Sequence, residues 1–139
     1  MPRKEKISST IFIDPINSTI HYNFCFINEI VKWHPEFTFY TSRFMYDKTL
    51  VTPQKTKYFF FNISNFISKL LGLPDRYRRI LRAIEYPFNL VILLLIISQM
   101  RIKNIHFNYS IAASIDRIFL SICKKLKCNT ILNAHSVLP

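Results

Sequence analysis

Short β-prone runs alternate with amphipathic helical stretches along almost the whole of this sequence. Apolar residues recur at helical spacing over 20–31, 63–71, 75–100 and 111–126, which predicts four helices. The predicted strands are 7–13, 36–40, 58–61, 103–107 and 130–134. Strands that alternate with helices form βαβ units with parallel strands. The sequence therefore predicts an α/β domain, a parallel sheet of about five strands with helices on both faces.

Gly72 is the only glycine in 139 residues. Dinucleotide-binding GxGxxG loops, Walker loops and GxSxG nucleophile elbows all need glycine at fixed positions. None of these motifs can occur in a sequence with one glycine, so binding of a dinucleotide or ATP through the familiar loops is excluded.

The net charge of +11 comes from 19 Lys and Arg against 8 Asp and Glu. Such an excess favours an anionic partner, which includes nucleic acid, an acidic membrane surface and phosphorylated substrates. The basic residues are spread over several short clusters, and no nucleic-acid recognition signature accompanies them. A basic nucleic-acid-binding module is an alternative that rests on charge alone, and we expect no specific nucleic acid as a partner.

The three cysteines, Cys25, Cys123 and Cys128, form no CxxC pair and have no histidine at a zinc spacing. We expect no metal site and no cofactor. A scattered, odd set of cysteines is typical of a reducing compartment, so the expected location is cytoplasmic, with each thiol acting as a small apolar filler.

Residues 86–100 form an uncharged window between Glu85 and Arg101. A helix of this length covers about 22 Å, which is short of the roughly 30 Å hydrocarbon core of a bilayer. The window therefore predicts a buried helix. The alternative is a small membrane-associated protein built on residues 63–100.

Polar residues follow three of the predicted strands, where open α/β sheets bind their ligands. They are Asp14, Asn17, Ser18 and His21 after the first strand, His106, Asn108, Tyr109 and Ser110 after the fourth, and His135 and Ser136 after the fifth. Three of the four histidines thus lie at or near one rim. Polar residues at strand ends also cap helices, so a structural role stays open for each.

Segment 105–139 closely resembles a stretch of the amino-terminal domain of glycosyltransferase family four. The similarity is carried by Ile105-His106-Phe107, Asp116-Arg117 and the turn Ala134-His135-Ser136-Val137-Leu138-Pro139, which match in order and spacing. The run IFIDPINSTIHYNFCFINEI at 11–30 is similar to the first strand and helix of that family, and EFTFYTSRF at 36–44 resembles its second strand.

This resemblance implies a Rossmann-like domain over residues 1–139, one incomplete half of a two-domain glycosyltransferase. The amino-terminal half would bind the acceptor, which is often a lipid-linked glycan, and a separate carboxyl-terminal half would bind the nucleotide-sugar donor. We therefore expect that the 139-residue chain transfers no sugar alone. A basic, Phe-rich domain of this kind suits an anionic membrane, as a peripheral protein at the inner face of the cell membrane.

The same resemblance assigns roles to single residues. His135 is similar to the family histidine that touches the reacting sugar or acceptor, and is the expected catalytic residue. The residues expected to bind substrate are Asp14, Asn17, Ser18, His21, Asn108 and Ser136.

Overall fold

A computed structural model describes residues 9–17, 20–43, 53, 55–108 and 110–133. The elements in chain order are β1 (Thr10–Asp14), α1 (Ile20–Trp33), β2 (Phe37–Ser42), β3 (Thr56–Phe60), α2 (Asn62–Leu71), α3 (Asp75–Met100), β4 (Asn104–Phe107), α4 (Ala113–Lys125) and β5 (Asn129–Leu132). All strands are parallel, in the order β3-β2-β1-β4-β5. This is the strand order of a Rossmann-like fold, and the predicted fold class is confirmed.

The side chains of β1 alternate between two apolar layers, as the period of a strand requires. Phe12 packs on one face of the sheet with Ile27 of α1 and with Phe37 and Phe39 of β2. The core on the other face contains Ile11 and Ile13 of β1, Leu90, Leu93 and Ile97 of α3, and Phe119 of α4. Each fully buried side chain of this size contributes about 1.5–3 kcal/mol. Helices thus cover both faces, as predicted.

The strand boundaries differ from the prediction where pairing overrides local composition. Thr56 and Lys57, assigned from sequence to a loop, belong to β3 because they pair with Phe39 and Tyr40 of β2. Asp14, expected in the turn after the first strand, is the last residue of β1 and pairs with Thr41. The remaining strand boundaries are within two residues of the prediction over the described part of the chain.

The start of α2 is bonded to side chains of α3. Phe61 lies in the left-handed region (φ 60°) and turns the chain from β3 into the helix. Its N–H donates to Asn89 Oδ1 (3.1 Å), while the N–H groups of Ile63 and Ser64 donate to the Glu85 carboxylate (3.0 and 2.7 Å). The first amides of a helix have no partner inside the helix, and a carboxylate also stabilises its positive end. Glu85 and Asn89 therefore attach α2 to α3.

The prediction that residues 86–100 form a buried helix is only half right. Tyr86, Leu90, Leu93 and Ile97 form a buried stripe of α3. On the opposite face, large apolar side chains are more than half exposed: Ile84 (58%), Phe88 (65%), Val91 (55%) and Leu95 (57%). Composition alone does not distinguish the two faces, because both are apolar.

The complete helix Asp75–Met100 has 26 residues, because helical structure begins well before the uncharged window and continues through Pro87. At about 39 Å it is longer than the hydrocarbon core of a bilayer. By length and composition it is the one helix of the described residues that could cross a membrane, although a soluble protein's core helix can meet the same criterion.

Replacing Glu85 by Ala should destabilise the fold by about 2 kcal/mol, because two helix-start amides lose a charged acceptor. Urea unfolding followed by circular dichroism would measure the change. Glu29→Ala is the matched control, since Glu29 is exposed on α1 and pairs with the equally exposed Lys32. Equal unfolding midpoints for the two variants would contradict the role assigned to Glu85.

Candidate functional site

The carboxyl ends of the five parallel strands form one edge of the sheet, which we call the rim. The strand order places a crevice in the rim between β1 and β4. From β1 the chain proceeds to β2 on one side, whereas β4 and β5 lie on the other side. Ligands of open α/β sheets bind at such a reversal point. Asp14 ends β1 there, and Asn108 follows β4 directly.

The Asp14 carboxylate lies at the centre of a buried hydrogen-bond network at this point. Its Oδ1 accepts the backbone N–H of Asn17 (2.8 Å), and its Oδ2 accepts from Asn23 Nδ2 (2.8 Å) and Asn108 Nδ2 (3.3 Å). Asn23 Nδ2 also lies 3.1 Å from Asn17 Oδ1. The backbone carbonyl of Asp14 accepts from Thr41 Oγ1 (2.7 Å). One carboxylate thus joins the β1 turn, α1 and the loop after β4.

Asn133 extends the network to the last strand. Its Nδ2 donates to Asn108 Oδ1 (3.2 Å), and its backbone N–H donates to the Phe107 carbonyl (2.9 Å). The Asn108 N–H donates in turn to the Ile13 carbonyl (2.8 Å). Asp14, Asn23 and Asn108 are completely buried, so the network fixes the shape of the rim from below.

A second cluster holds the loop between β4 and α4 against α3. Asp116 is buried and accepts hydrogen bonds from the Tyr86 hydroxyl (2.5 Å), Ser110 Oγ (2.7 Å) and the Ala112 N–H (3.1 Å). Burial, strengthened by the Asp116 carboxylate, raises the pKa of Tyr86 well above its usual value. Tyr86 therefore remains a protonated donor to Asp116.

A pocket of about 360 Å³ opens beside the Asp116 cluster. Its walls come from three strand ends: Ile16 after β1, Phe61 after β3, and Ile111 and Ala112 after β4. The remaining residues that line it are Arg79, Arg82, Ala83 and Tyr86 of α3 and Ile115 of α4. The Arg82 guanidinium carbon lies 5.2 Å from the Phe61 ring centre, a cation–π contact. We call this space the rim pocket. It offers apolar and aromatic surface beside two positive charges.

The structure brings together some of the residues predicted from the sequence and not others. Asp14, Asn17 and Asn108 meet in the buried network. His21 lies on α1 with its side chain exposed, and the hydrogen bonds of that network join other residues. Ser18, His135 and Ser136 lie outside the described residues, so their roles stay predictions.

Asn23, Asn133 and the two arginines of the rim pocket were not predicted from the sequence. Asn23 interrupts the apolar stripe of α1 and is completely buried, and a polar residue on a core-facing stripe is the signal that could have found it. Nothing local distinguishes Arg79 and Arg82 from the neighbouring arginines, because only the packing of α3 against the rim selects them.

His106 lies between Phe12 and Phe26. Its ring centre is 4.8 Å from that of Phe12 and 5.9 Å from that of Phe26. Its Nε2 is buried and has no hydrogen-bond partner among the described residues. Burial lowers the pKa of His106, and the side chain of Asn133 opposes this only in part. His106 is thus a largely neutral ring in the α1 layer of the sheet, below the rim.

In the part of the chain that the structure describes, no group of three or more His, Cys, Asp or Glu residues could hold a metal ion. The chain matches no model of a known protein family, no curated protein sequence and no solved structure. Inference about function therefore depends on the fold, the rim and the surface.

Replacing Asp14 by Ala should lower the free energy of unfolding by about 3 kcal/mol, because three buried donors lose a charged acceptor. Chemical denaturation of the purified chain would measure this. His21→Ala, in the same region but exposed, should change the midpoint little. If Asp14→Ala unfolds like the control, the network does not hold the rim.

Lowering the pH from 7.5 to 5.5 should destabilise the chain through His106. Because burial lowers the pKa of His106 in the folded chain, the unfolded chain takes up this proton first. The contribution of neutral His106 to the free energy of unfolding is complete above about pH 6.5. It decreases as the pH falls through that value. His106→Phe should flatten the pH dependence, whereas replacement of the exposed His34 by Ala should not. The same slope in His106→Phe as in the parent chain would show this account to be wrong.

Proposed function

We propose that the chain is the acceptor-binding half of a glycosyltransferase that moves a sugar from a nucleotide-sugar to a lipid-linked glycan. The observation that carries this proposal is the rim pocket. Three strand-end loops converge on it beside the reversal point of a Rossmann-like sheet, where such folds bind ligands. The resemblance of 105–139 to glycosyltransferase family four points to the same rim.

The pocket has the composition that a glycan acceptor requires. Ile16, Ile111 and Ile115 offer apolar surface to a sugar ring, and Arg79 and Arg82 offer donors for its hydroxyl or phosphate oxygens. In the proposed reaction an acceptor hydroxyl attacks the anomeric carbon of the donor sugar, and the nucleotide diphosphate leaves. Residues that only hold the acceptor hydroxyl in place can supply much of the rate enhancement. His135 stays the proposed residue at the reacting sugar.

The exposed surface of α2 and α3 favours a lipid-linked acceptor over a soluble one. Its large exposed apolar residues are Ile63, Phe66, Leu70 and Leu71 on α2 and Tyr77, Ile80, Ile84, Phe88, Val91, Ile92 and Leu95 on α3. A groove of about 240 Å³ between Ile63 and Ile67 of α2 and Phe88 of α3 connects the two sets. We call this surface the α2–α3 apolar face.

Soluble monomers rarely expose so large a continuous apolar surface. The net charge of +11 complements an anionic membrane, and exposed Arg76 and Lys69 lie on the helices that carry the face. We therefore propose that the domain binds the inner face of the cell membrane peripherally through the α2–α3 apolar face.

Vesicle co-sedimentation would test whether the chain binds a membrane and whether it does so through the α2–α3 apolar face. The chain should bind vesicles that contain phosphatidylglycerol, and Ile84→Glu should weaken binding about tenfold or more, because a carboxylate enters the proposed contact. Ile118→Glu is the matched control, since Ile118 is equally exposed on α4, away from this face. Equal loss in both variants would contradict membrane binding through α2 and α3.

Adding a polyprenyl-diphosphate-linked sugar to phosphatidylcholine vesicles should increase binding, and Arg79→Gln, at an exposed position that lines the rim pocket, should remove much of the increase. A free nucleotide-sugar should bind more weakly than the lipid-linked sugar, because the proposed donor site lies in a separate domain. If the lipid-linked sugar adds nothing, or the nucleotide-sugar binds better, the chain is not an acceptor-binding domain.

A further inference from the structure

A second pocket, of about 530 Å³, lies on the other side of α2 from the groove of the α2–α3 apolar face. It is lined by Arg43, Asn62, Asn65, Phe66, Ser68, Lys69, Leu73 and Arg78. Arg43 follows β2 directly, so this pocket also opens near the carboxyl ends of the strands, on the β2–β3 side. We call it the basic pocket.

Three elements bring a positive charge to the basic pocket. Arg43 comes from the end of β2, Lys69 from α2 and Arg78 from the start of α3. Among the described residues that line the pocket, none is acidic. Asp75 lies beside it and pairs with Arg78 (Nη2–Oδ1 2.8 Å), but Asp75 is itself largely exposed. The local excess of positive charge favours an anion.

The polar groups in the pocket also suit an anion. The Arg43 guanidinium carbon lies 5.6 Å from the Tyr58 ring centre, so the ring orients a planar group that can bind two oxygens at once. Ser68 is 8% exposed, and its Oγ has no hydrogen-bond partner among the described residues. A buried hydroxyl normally has a partner, and a ligand oxygen in this pocket would supply one.

The basic pocket adjoins both features used in the proposed function. Phe66 lines the pocket and is 67% exposed on the α2–α3 apolar face. Arg82 lines the rim pocket and donates to Asn65 Oδ1 (2.8 Å), a residue of the basic pocket. Arg78 and Arg79, adjacent in sequence, line one pocket each. A ligand with an anionic group, a sugar and a hydrocarbon chain could therefore contact all three surfaces.

We propose that the basic pocket binds the diphosphate group of the lipid-linked acceptor through Arg43, Lys69, Arg78 and Ser68. This inference rests on the proposed function for the identity of the ligand, but binding of a diphosphate can be tested without it. In this arrangement the sugar lies toward the rim pocket, and the hydrocarbon chain lies along the α2–α3 apolar face.

The test compares two double variants with the parent chain. Arg43→Gln/Lys69→Gln removes two charges from the pocket, both on exposed side chains, so the fold should persist. Arg117→Gln/Lys125→Gln removes the same residue types from exposed positions on α4. Thermal melts verify folding of each variant. Calorimetry with inorganic pyrophosphate and co-sedimentation with vesicles carrying a polyprenyl-diphosphate-linked sugar then measure binding.

We expect the pocket variant to bind at least one diphosphate probe about tenfold or more weakly, and the α4 variant to bind like the parent. Loss with pyrophosphate supports a site for the diphosphate group itself, and loss only with the vesicles supports a site that requires the lipid. Parental binding of both probes by the pocket variant, or equal loss in both variants, would overturn the proposal. Pocket-dependent pyrophosphate binding without binding of the lipid-linked sugar would keep the anion site and overturn the acceptor function.

Discussion

A buried carboxylate determines how the two halves of this sheet meet. Asp14 ends the central strand, and its hydrogen bonds reach the turn after β1, helix α1 and the loop after β4. A buried charge is costly unless its acceptor positions are filled, so the surrounding amides are held in the positions that fill them. The β1 and β4 loops consequently have a fixed spacing at the reversal point of the sheet. The rim pocket opens beside the same two loops on the α3 and α4 side, where Ile16 after β1 and Ile111 and Ala112 after β4 line it.

Helices α3 and α4 cover the face of the sheet that α1 does not, and α3 makes several kinds of contact there. α3 must complete the core with one stripe, bond the first amides of α2 through Glu85 and Asn89, and leave its outer face apolar. These demands are compatible because they use different sides of one long helix. The same helix carries arginines at its amino-terminal half, where two pockets open on either side of it. Exposed apolar surface, positive charge and the strand-end rim are therefore adjacent, which is the arrangement that the proposed amphiphilic, phosphate-bearing acceptor would need.

Much of the fold was predictable because its signals are local. Ile63, Phe66, Ile67 and Leu70 repeat at helical spacing whatever surrounds them, and α2 forms over that repeat. β3 was harder, because Thr56 and Lys57 become strand only by pairing with β2. The rim was predicted as a location, and Asp14, Asn17 and Asn108 do meet there. Their partners Asn23 and Asn133 were not predicted. Asn23 meets Asp14 only when α1 packs on the sheet, and Asn133 reaches Asn108 only through the parallel register of β4 and β5.

The sequence by itself determined the α/β class, the sequence order of strands and helices, the absence of glycine-dependent nucleotide loops and the strong positive net charge. Periodicity, glycine count and net charge are properties of the chain before it folds. Only the tertiary structure decided which face of α3 is core and which is surface, because both faces carry large apolar side chains. It also decided which of many arginines share a pocket, because residues 35 positions apart, such as Arg43 and Arg78, come together only when the sheet and its helices pack.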